Sequence, residues 1–458
     1  MRASMLPGLN SANLARKREI AKAREMDFCG LKAGSLLTGT PTLFARLRAL
    51  VFSREVRGAL LIATLALLPT GPLAAQLAIK GETVYTMAGR PIQNGVVLIG
   101  RDGKIEKVGT ASEVRIPNGV RVIQGKVVTP GLIDAHSTVG LSGYLNQPHD
   151  QDQLETTGPI QPELRAVDAY NPHEYLVGYV RQFGVTTLHT GHGPGALASG
   201  QTIVVKTRGN SVQAATIDTL AMVAMTLGPD VSSAFKSPGT SAKSVAMLRQ
   251  EFIKAQEYAR KVAAAKADAP VARDLKLETL AAMLRGEVPA LITAHRSIDI
   301  LDALRLQREF GFKLVLDGAS EAYLVIPEIK AANVPVILHP TMMRTGGSTR
   351  NAAVTTAKLL IDAGIPVALQ SGYEGYVPKT RIVLWEAGMA AGYGLTLEQA
   401  LGTITTTAAR ILGIQDRVGS LERGKDGDVA VFDGDPFEFT THVCAVAIQG
   451  EVVSEACH

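Results

Sequence analysis

The strongest constraint on the fold is a regular alternation of short apolar runs with amphipathic segments of helical length between residues 289 and 372. The apolar runs predict four strands, at residues 290–294, 313–316, 334–338 and 365–369. Strands that alternate with helices pair in parallel, and four units of this regularity correspond to half of an eight-stranded barrel. The sequence therefore predicts an α/β protein built on a TIM-like (β/α)8 barrel.

A polar residue follows each of these predicted strands. His295 follows the first, Asp317 the second, His339 the third and Gln370 the fourth. The carboxyl ends of parallel strands meet at one face of a barrel, and that face carries the active sites of such proteins. We therefore expect the chemistry of the protein at this face.

A second feature is the stretch VVTPGLIDAHSTVGLSG at residues 127–143. Pro130 and Gly131 allow a sharp corner, and a short apolar strand follows them. The stretch resembles the strand-one motif P-G-x-I-D-x-H-x-H of the metal-dependent amidohydrolase superfamily, in particular its imidazolonepropionase-like branch. The first histidine of the motif is His136, but Thr138 replaces the second.

Two further segments carry the same resemblance. Residues 405–413, TTTAARILG, are similar to the family's T-x-N-x-A-x-x-L-G segment, and residues 418–429, VGSLERGKDGDV, closely match its G-S-L-x-x-G-K-x-A-D-L pattern. The resemblance implies a small β-sandwich beside the barrel, built from both ends of the mature chain. We place this sandwich at residues 76–126 and 414–458, and the barrel at residues 127–413.

The resemblance also implies a divalent metal ion, with zinc expected, and His136 and His295 as its ligands. Two more expected ligands are missing besides the histidine at position 138, because relatives carry a histidine near Asp317 and an aspartate, both ligand and general base, at the position of Gly372. A catalytic zinc site needs three protein ligands and an open position for water. Two imidazoles alone should hold zinc poorly, so we expect other groups to be recruited, with Glu374 as the substitute catalytic base.

Other polar side chains at strand ends are candidates for substrate contact: His189, His192, His339 and Arg344. A metal site at His189 and His192 is the alternative to hydrogen-bonding pocket residues. Lys206 lies in a predicted hairpin, where a solvated lysine is favoured over the carboxylated metal-ligand lysine of some relatives. Residues 146–172 form a polar loop that is either a substrate lid or a solvated insertion.

The resemblance implies an exported hydrolase that cleaves C–N bonds in small non-peptide amides or cyclic amides, with a reduced metal site. The alternative is a binding or scaffold protein that kept the fold and lost the metal, because fold alone does not decide function. A metal-free hydrolase that uses histidine and glutamate as acid and base is a third hypothesis. The predicted partner is a small-molecule substrate, and the existence of a homo-oligomer stays open.

The first 75 residues differ in character from the rest. Residues 58–68, GALLIATLALL, form a short apolar run between arginines and small residues, which is typical of a secretory signal peptide, here at about residues 54–75. We therefore expect a periplasmic or secreted protein with no stable membrane span after cleavage. The leader carries a charge of +7 and the remainder −2, so the net charge of +5 does not indicate a nucleic-acid partner.

The chain has three cysteines: Cys29 in the leader, and Cys444 and Cys457 near the carboxyl terminus. An oxidising compartment would allow a disulfide between Cys444 and Cys457, and two free thiols are the equal alternative. Their spacing does not resemble a zinc ribbon. The state of this pair therefore bears on where the protein works.

Overall fold

The two ends of the described chain meet in one β-sheet, and the segment between them supplies the strands and helices that carry the candidate site. The computed structural model describes residues 77–458, apart from residue 146 and residues 342–345 and 373–381. The predicted signal peptide, Arg344 and Glu374 therefore lie outside the described residues. All described residues belong to one compact unit, Pro72–His458.

The described residues form seventeen strands, numbered in chain order. They are β1 Leu77–Val84, β2 Ile92–Ile99, β3 Ile105–Thr110, β4 Arg121–Pro130, β5 Leu132–Ser137, β6 Val185–Thr190, β7 Gly200–Gln201, β8 Ile203–Lys206, β9 Thr216–Asp218, β10 Val223–Thr226, β11 Ala290–Ala294, β12 Leu314–Gly318, β13 Val336–Leu338, β14 Val367–Leu369, β15 Val429–Phe432, β16 Val443–Ile448 and β17 Glu451–Ser454.

The same residues form twelve α-helices. They are α1 Ala166–Ala169, α2 Tyr175–Gln182, α3 Val212–Ala215, α4 Pro229–Ala234, α5 Ser241–Ala264, α6 Leu275–Leu284, α7 Ser297–Phe310, α8 Ile326–Ala332, α9 Thr356–Asp362, α10 Val383–Gly392, α11 Leu397–Thr403 and α12 Thr406–Ile411. Among the helices of the described residues, none has the length and apolar character required to span a membrane.

The first sheet has seven strands in the order β17-β16-β15-β4-β1-β2-β3. Strand β1 pairs in parallel with β4, and β15 pairs antiparallel with β4. Its core is aliphatic, with Ile79, Val97 and Val431 buried. Both chain ends contribute to this sheet, as predicted, but β4 continues to Pro130 and so crosses the boundary expected after residue 126.

The other strands form two sheets, a six-stranded one in the order β14-β13-β12-β11-β10-β7 and a four-stranded one in the order β5-β6-β8-β9. Strands β10 to β14 are parallel to one another, and β5 is parallel to β6. The four strands predicted from the alternating pattern are confirmed as β11 to β14. An isolated parallel bridge between Ser137, at the end of β5, and Gly372, after β14, links the two sheets.

Two strands run against the direction expected for eight parallel strands. Strand β8 pairs antiparallel with β6, and β7 pairs antiparallel with β10. The connection from β6 to β7, residues 191–199, is too short for the helical crossover that a parallel neighbour requires, so the chain turns back. The prediction of eight parallel strands is therefore wrong here, and the described residues do not form one continuous closed sheet.

An apolar layer lies beneath the candidate site, and its members include Leu291, Val315 and Ile337. Side chains alternate between the two faces of a strand, so the residues two positions later lie on the same face. These residues are Thr293, Asp317 and His339. The apolar layer thus packs between the strands. The polar side chains of Thr293, Asp317 and His339 lie on the same face, nearer the carboxyl ends of the strands.

Lys206, at the end of β8, is buried rather than solvated, so the favoured prediction for this side chain is wrong. Its Nζ lies 3.1 Å from Oδ2 of Asp426 and also pairs with Asp428, and all three side chains are almost fully buried. Asp426 and Asp428 belong to the segment that leads into β15. A buried ion pair therefore joins the four-stranded sheet to the carboxyl-terminal part of the chain.

Cys444 and Cys457 form a disulfide, with 13 residues of sequence separation. In the chain-entropy model, closing a loop of this size stabilises the fold by about 3 kcal/mol. We expect a Cys444→Ser, Cys457→Ser double variant to lose about this free energy of unfolding, measured by urea titration. A variant with unchanged stability would contradict the expectation.

Candidate active site

The carboxylate of Asp317, at the end of β12, lies at the centre of the candidate site and is fully buried. Its Oδ1 accepts a hydrogen bond from Nδ1 of His136 at 3.0 Å and another from Nε2 of Gln370 at 2.7 Å. Its Oδ2 accepts a hydrogen bond from Oγ1 of Thr293 at 2.6 Å. Side chains from the four-stranded and the six-stranded sheet therefore converge on one carboxylate.

Asp317 is held in its ionised form. Burial favours the neutral acid, but the charge and hydrogen bond of His136, followed by the hydrogen bond of Thr293, outweigh burial and lower the pKa of the Asp317 carboxyl. His295 acts on the same carboxylate with a smaller favourable charge interaction. A permanent negative charge is thus available inside the site.

The Asp317 contact fixes the tautomer of His136, whose side chain is also buried. An ionised carboxylate can only accept, so Nδ1 of His136 donates the hydrogen bond to Asp317. This carboxylate–histidine arrangement is found both in metal sites and in hydrolase triads. It holds the imidazole of His136 in one orientation.

His295, directly after β11, is oriented through a different partner. Its Nδ1 lies 2.7 Å from Oγ of Ser320, and that hydroxyl donates to the backbone carbonyl of His339 at 3.2 Å. The hydroxyl oxygen therefore accepts from Nδ1–H, which leaves the lone pair of the neutral ring on Nε2. Burial lowers the pKa of the His295 imidazole. His136 and His295 flank the same short segment, Asp317 and Gly318.

His189, on β6, has protein partners at both ring nitrogens. Nδ1 donates to the carbonyl of Ala135 at 2.6 Å, and Nε2 lies 2.7 Å from Oγ1 of Thr202. Its ring centroid is 5.4 Å from that of His136. Burial lowers the pKa of His189 to about 3, so the ring is neutral. These contacts hold β5, β6 and the segment before β8 together, and substrate contact by His189 stays a prediction.

His192 follows β6 and is buried, and among the described residues neither of its ring nitrogens has a hydrogen-bond partner. Its ring packs against Gly200, where an added Cβ would come within 2.3 Å of Cδ2 of His192. Burial lowers the pKa of His192 to about 4. The predicted role in substrate binding stays a prediction, and its nitrogens are available for it.

The pKa of His192 predicts a pH-dependent stability. The unfolded chain takes up a proton at this imidazole below about pH 6.5, but the folded chain does so only near pH 4. The contribution of neutral His192 is therefore complete above pH ~6.5 and is lost as the pH falls toward 4. As the pH is lowered, we expect the free energy of unfolding of the wild type to decrease more steeply than that of His192→Gln, by up to about 1.4 kcal/mol per pH unit. Urea titrations between about pH 7 and pH 5 measure this difference.

The matched control is His149→Gln, because His149 is exposed. This variant should follow the wild-type pH dependence. If the free energy of unfolding changed equally with pH in the wild type and in His192→Gln, burial of this ring would have no effect on its protonation.

The polar loop at residues 146–172 is attached to the strand-end loops by backbone hydrogen bonds. Asp150 accepts from the amide of Gly143 at 2.7 Å, and Gln153 accepts from the amide of Gly193 at 2.7 Å. The amide of Gln161 donates to the carbonyl of Ala198 at 2.8 Å. The loop therefore lies against the segments that follow β5 and β6, which is the position expected of a cover for the site.

Asp134, on β5, joins the four-stranded sheet to the segment that follows β14 of the six-stranded sheet. Its Oδ1 accepts from the backbone amide of Ser371 at 3.0 Å, and its Oδ2 accepts from the hydroxyl of the same residue. Burial raises the pKa of Asp134 to about 7, and the hydrogen bonds from Ser371 oppose this rise. These contacts give Asp134 a structural function, the connection of β5 to the segment after β14.

The sequence does not predict several parts of the site. It indicates Asp317 only as the place of a missing histidine, and it indicates no function for Thr293 or Ser320. The signal for Thr293 was available, because it lies two positions before His295 on a strand that faces the interior. The hydrogen bond from Ser320 to the backbone carbonyl of His339 joins residues from different strand ends, and spacing in the sequence does not reveal it.

The described residues do not make a catalytic zinc site by themselves. Among them, no group of three or more histidine, cysteine, aspartate or glutamate side chains is placed to hold a metal ion. A catalytic zinc requires three protein ligands. His136 and His295 each have an oxygen partner on Nδ1, as metal-binding histidines do, but they supply two donors. Zinc binding by these two residues stays a prediction.

Residues 282–454 match the model of the Amidohydrolase family. Imidazolonepropionase of Caulobacter sp. (strain K31) is 24% identical over 377 residues, which cover 77% of this chain and 92% of that protein. Amidohydrolase tasK of Hapsidospora irregularis is 26% identical over 376 residues, which cover 75% of this chain but only 38% of that protein. The crystal structure of an amidohydrolase from Thermotoga maritima MSB8 has a TM-score of 0.77 and 30% identity, and the match covers 83% of this chain and 100% of that one.

This similarity identifies the protein as a hydrolase of the type that acts on carbon–nitrogen bonds. The mixed α/β fold, with polar side chains at the strand ends, agrees with this class. The chain belongs to the amidohydrolase family and is an imidazolonepropionase-like member of it. The family typically binds a divalent metal ion.

Proposed function

We propose that this protein is an exported hydrolase that cleaves C–N bonds in small non-peptide amides or cyclic amides. The observation that carries the proposal is the buried pair of His136 and Asp317 at the strand ends, in a chain of the amidohydrolase family. Thr293 and Gln370 hold the carboxylate, so it keeps one orientation and one charge state. The imidazole that it orients is the group to which we assign proton transfer.

Burial makes this arrangement effective. Asp317 and His136 are almost fully shielded from solvent. Their electrostatic interaction is stronger there than in water, and no reorganisation is needed when charge develops on the substrate. A small substrate suits a site whose central side chains are buried. The docked loop at residues 146–172 supports a function as cover over the bound substrate.

The proposal includes a TIM-like barrel in which strands β7 and β8 are reversed, flanked by a β-sandwich. The bridge between Ser137 and Gly372 supports closure of the barrel, because it joins the edge strands β5 and β14 of the two sheets. The joint sheet of β1–β4 and β15–β17 supports a sandwich built from both chain ends. The position of the polar side chains at the strand ends agrees with the active-site face of such barrels.

The export part of the proposal is supported by the disulfide between Cys444 and Cys457, since disulfides persist in oxidising compartments. Removal of the leader would also remove Cys29. We therefore expect a thiol assay on the denatured native protein to find no free thiol, and amino-terminal sequencing to begin near residue 76. A native protein that retains residues of the first 50 would contradict export by this signal.

A test of the activity is incubation of the purified protein with lactams, cyclic imides and N-acyl amines, with the released amine and acid detected by mass spectrometry. We expect turnover of at least one class, and loss of turnover in His136→Gln. A folded protein that turns over none of these classes would favour the alternative, a binding or scaffold protein. That alternative is supported by the lack of a three-ligand group among the described residues.

Elemental analysis of protein purified without added metal tests the predicted zinc ion. About one metal ion per chain, lost in a His136→Gln, His295→Gln double variant, would support zinc at these residues. A content well below one ion per chain that does not rise on reconstitution would exclude the metal-dependent form of the proposal. Gel filtration with light scattering tests the homo-oligomer.

A further inference from the structure

The ring of His192 lies where the polar loop at residues 146–172 meets β7. His192 follows β6, and only 5% of its surface is exposed. The ring packs on Gly200, where an added Cβ would lie 2.3 Å from Cδ2 and 2.8 Å from Nε2 of the imidazole. The same Cβ would lie 2.6 Å from the carbonyl oxygen of Leu164, which belongs to the loop. The imidazole is therefore enclosed between the loop and the first residue of β7.

Backbone hydrogen bonds attach the loop to the chain near this ring. The carbonyl of Gln153 accepts from the amide of Gly193, the residue after His192, at 2.7 Å. The carbonyl of Leu164 accepts from the amide of Gln201 at 2.6 Å. The loop is thus held against the ring of His192 and contributes to its burial.

Three side chains in this contact have buried hydrogen-bonding atoms to which the described part of the chain offers no partner. These atoms are both ring nitrogens of His192, Oε1 of Gln153 and Oγ of Ser199. Ser199 directly precedes Gly200, on which the ring packs, and Gln153 is bonded to the residue after His192. We call these three residues the His192 subsite. Buried polar groups in native proteins nearly always have a partner, so a set of this kind indicates a molecule that supplies one.

The two other histidines that the sequence predicts as substrate contacts are engaged differently. Both ring nitrogens of His189 have oxygen partners. Nδ1 of His339 lies 3.4 Å from the carbonyl oxygen of Gln370, and its ring lies against Gly372, where an added Cβ would be 2.6 Å from Nε2. A metal ion shared by His189 and His192 does not suit this arrangement, because the nitrogens of His189 are already in use.

The donors and acceptors of the His192 subsite define the chemistry of its ligand. A neutral imidazole has one donor and one acceptor, the side-chain oxygen of Gln153 only accepts, and the hydroxyl of Ser199 does both. A matching ligand therefore needs hydrogen-bond donors as well as an acceptor.

Charge narrows the choice further. Burial lowers the pKa of His192 to about 4, against the opposite effect of the Asp152 carboxylate, so the ring is neutral. An anionic ligand would meet no cation among the three residues of the subsite and would come close to Asp152. A cationic ligand would have to give up its hydration in a buried place, which costs free energy. An uncharged ligand avoids both costs.

We propose that the His192 subsite binds an uncharged amide group of the substrate, separate from the amide that is hydrolysed. An amide carries N–H donors and a carbonyl acceptor, which matches the groups that the subsite presents. The inference rests on the proposed function and deepens it, because it selects substrates with a second amide, such as acyl amines that end in a carboxamide. His192 is thereby a specificity-determining residue, and proton transfer is left to other groups.

The kinetic test uses four acyl amines that differ only in one terminal group: carboxamide, carboxylate, ammonium or ethyl. In the wild type, kcat/KM for the carboxamide should exceed that for each of the others at least about tenfold, the effect of roughly one hydrogen bond. In His192→Leu this preference should fall below about twofold, because leucine offers neither donor nor acceptor. His192→Gln, which keeps a donor and an acceptor, should retain part of the preference.

The matched control is His442→Leu, because His442 is exposed and pairs with Asp433 far along the chain from the subsite. This variant should keep the full preference for the carboxamide. Equal preferences in the wild type and His192→Leu would overturn the proposal even though hydrolysis is observed. A wild-type preference for the carboxylate or the ammonium compound would do the same.

A binding test decides the proposal if none of the four compounds is hydrolysed. Propanamide or propanoate is added in urea titrations, because a ligand that binds only the folded chain raises the midpoint of unfolding. Propanamide should raise the midpoint of the wild type but not that of His192→Leu, and propanoate should raise neither. Binding of propanamide without hydrolysis would contradict the proposed function and leave the subsite in place. An equal rise in both proteins, or no rise in the wild type, would overturn the subsite.

Discussion

Replacement of Lys206 by methionine is expected to lower the free energy of unfolding by about 3–5 kcal/mol, the cost of removing one partner from a buried ion pair. The ammonium group is 3.1 Å from Oδ2 of Asp426 and also pairs with Asp428, and the three side chains are almost completely buried. Asp426 retains other cationic partners, Lys104 and Arg417. The carboxylate of Asp428 would keep the backbone amide of Gln449 as a donor but lose its cation.

Chemical unfolding in urea measures this effect, and Lys358→Met is the matched control. Lys358 pairs with Asp362 on the exposed face of α9. Surface pairs of this kind contribute about 0–1 kcal/mol, because water and salt screen them. A loss in Lys206→Met no larger than that in Lys358→Met would show that the buried carboxylates find other partners or become protonated.

Asp317→Asn is expected to lower kcat/KM by up to about 10⁴-fold, the effect of the equivalent change in a Ser-His-Asp triad. The amide oxygen can still accept from Nδ1 of His136, and the NH2 group can donate to Oγ1 of Thr293, but the negative charge beside the imidazole is lost. The ring would keep its place and lose the charge next to it. Stability should change much less than activity, because the substitution preserves shape.

Two measurements separate this mechanism from general damage. Nitrogen-15 spectra of the histidine rings should show a changed signal for His136 in Asp317→Asn. Asp302→Asn, which alters a carboxylate on α7 that pairs with Arg305, should leave both the spectra and kcat/KM unchanged. An unchanged His136 signal together with near wild-type activity would remove Asp317 from the machinery.

Sequence and structure agree best where the residues within one helix or strand determine its conformation. Strand β11 coincides with its predicted limits. Helix α7 ends at Phe310, and the left-handed backbone of the next residue, Gly311, is a common helix terminus. Hydrophobic period and terminal residues act locally, so they can be recognised without the rest of the chain.

Sequence and structure disagree most where contacts with another part of the chain determine the direction of a strand or the burial of a side chain. The reversal of β8 depends on a connection too short for a crossover. The partner of β8 in the predicted hairpin is the short strand β9, which follows helix α3. Lys206 is polar in the sequence, but its burial depends on carboxylates more than two hundred residues later. Both are properties of packing partners, which a local pattern does not contain.

The sequence by itself determined the α/β class, the order of the strands that carry the site, and the family motifs that place His136 and His295 at strand ends. Only the tertiary structure decided which groups these histidines meet, because hydrogen bonds between strand ends join residues far apart in the chain. The same holds for the imidazole of His339 over Gly372. Loss of a side chain is visible in the sequence, but what fills its space depends on the three-dimensional arrangement of neighbouring strands.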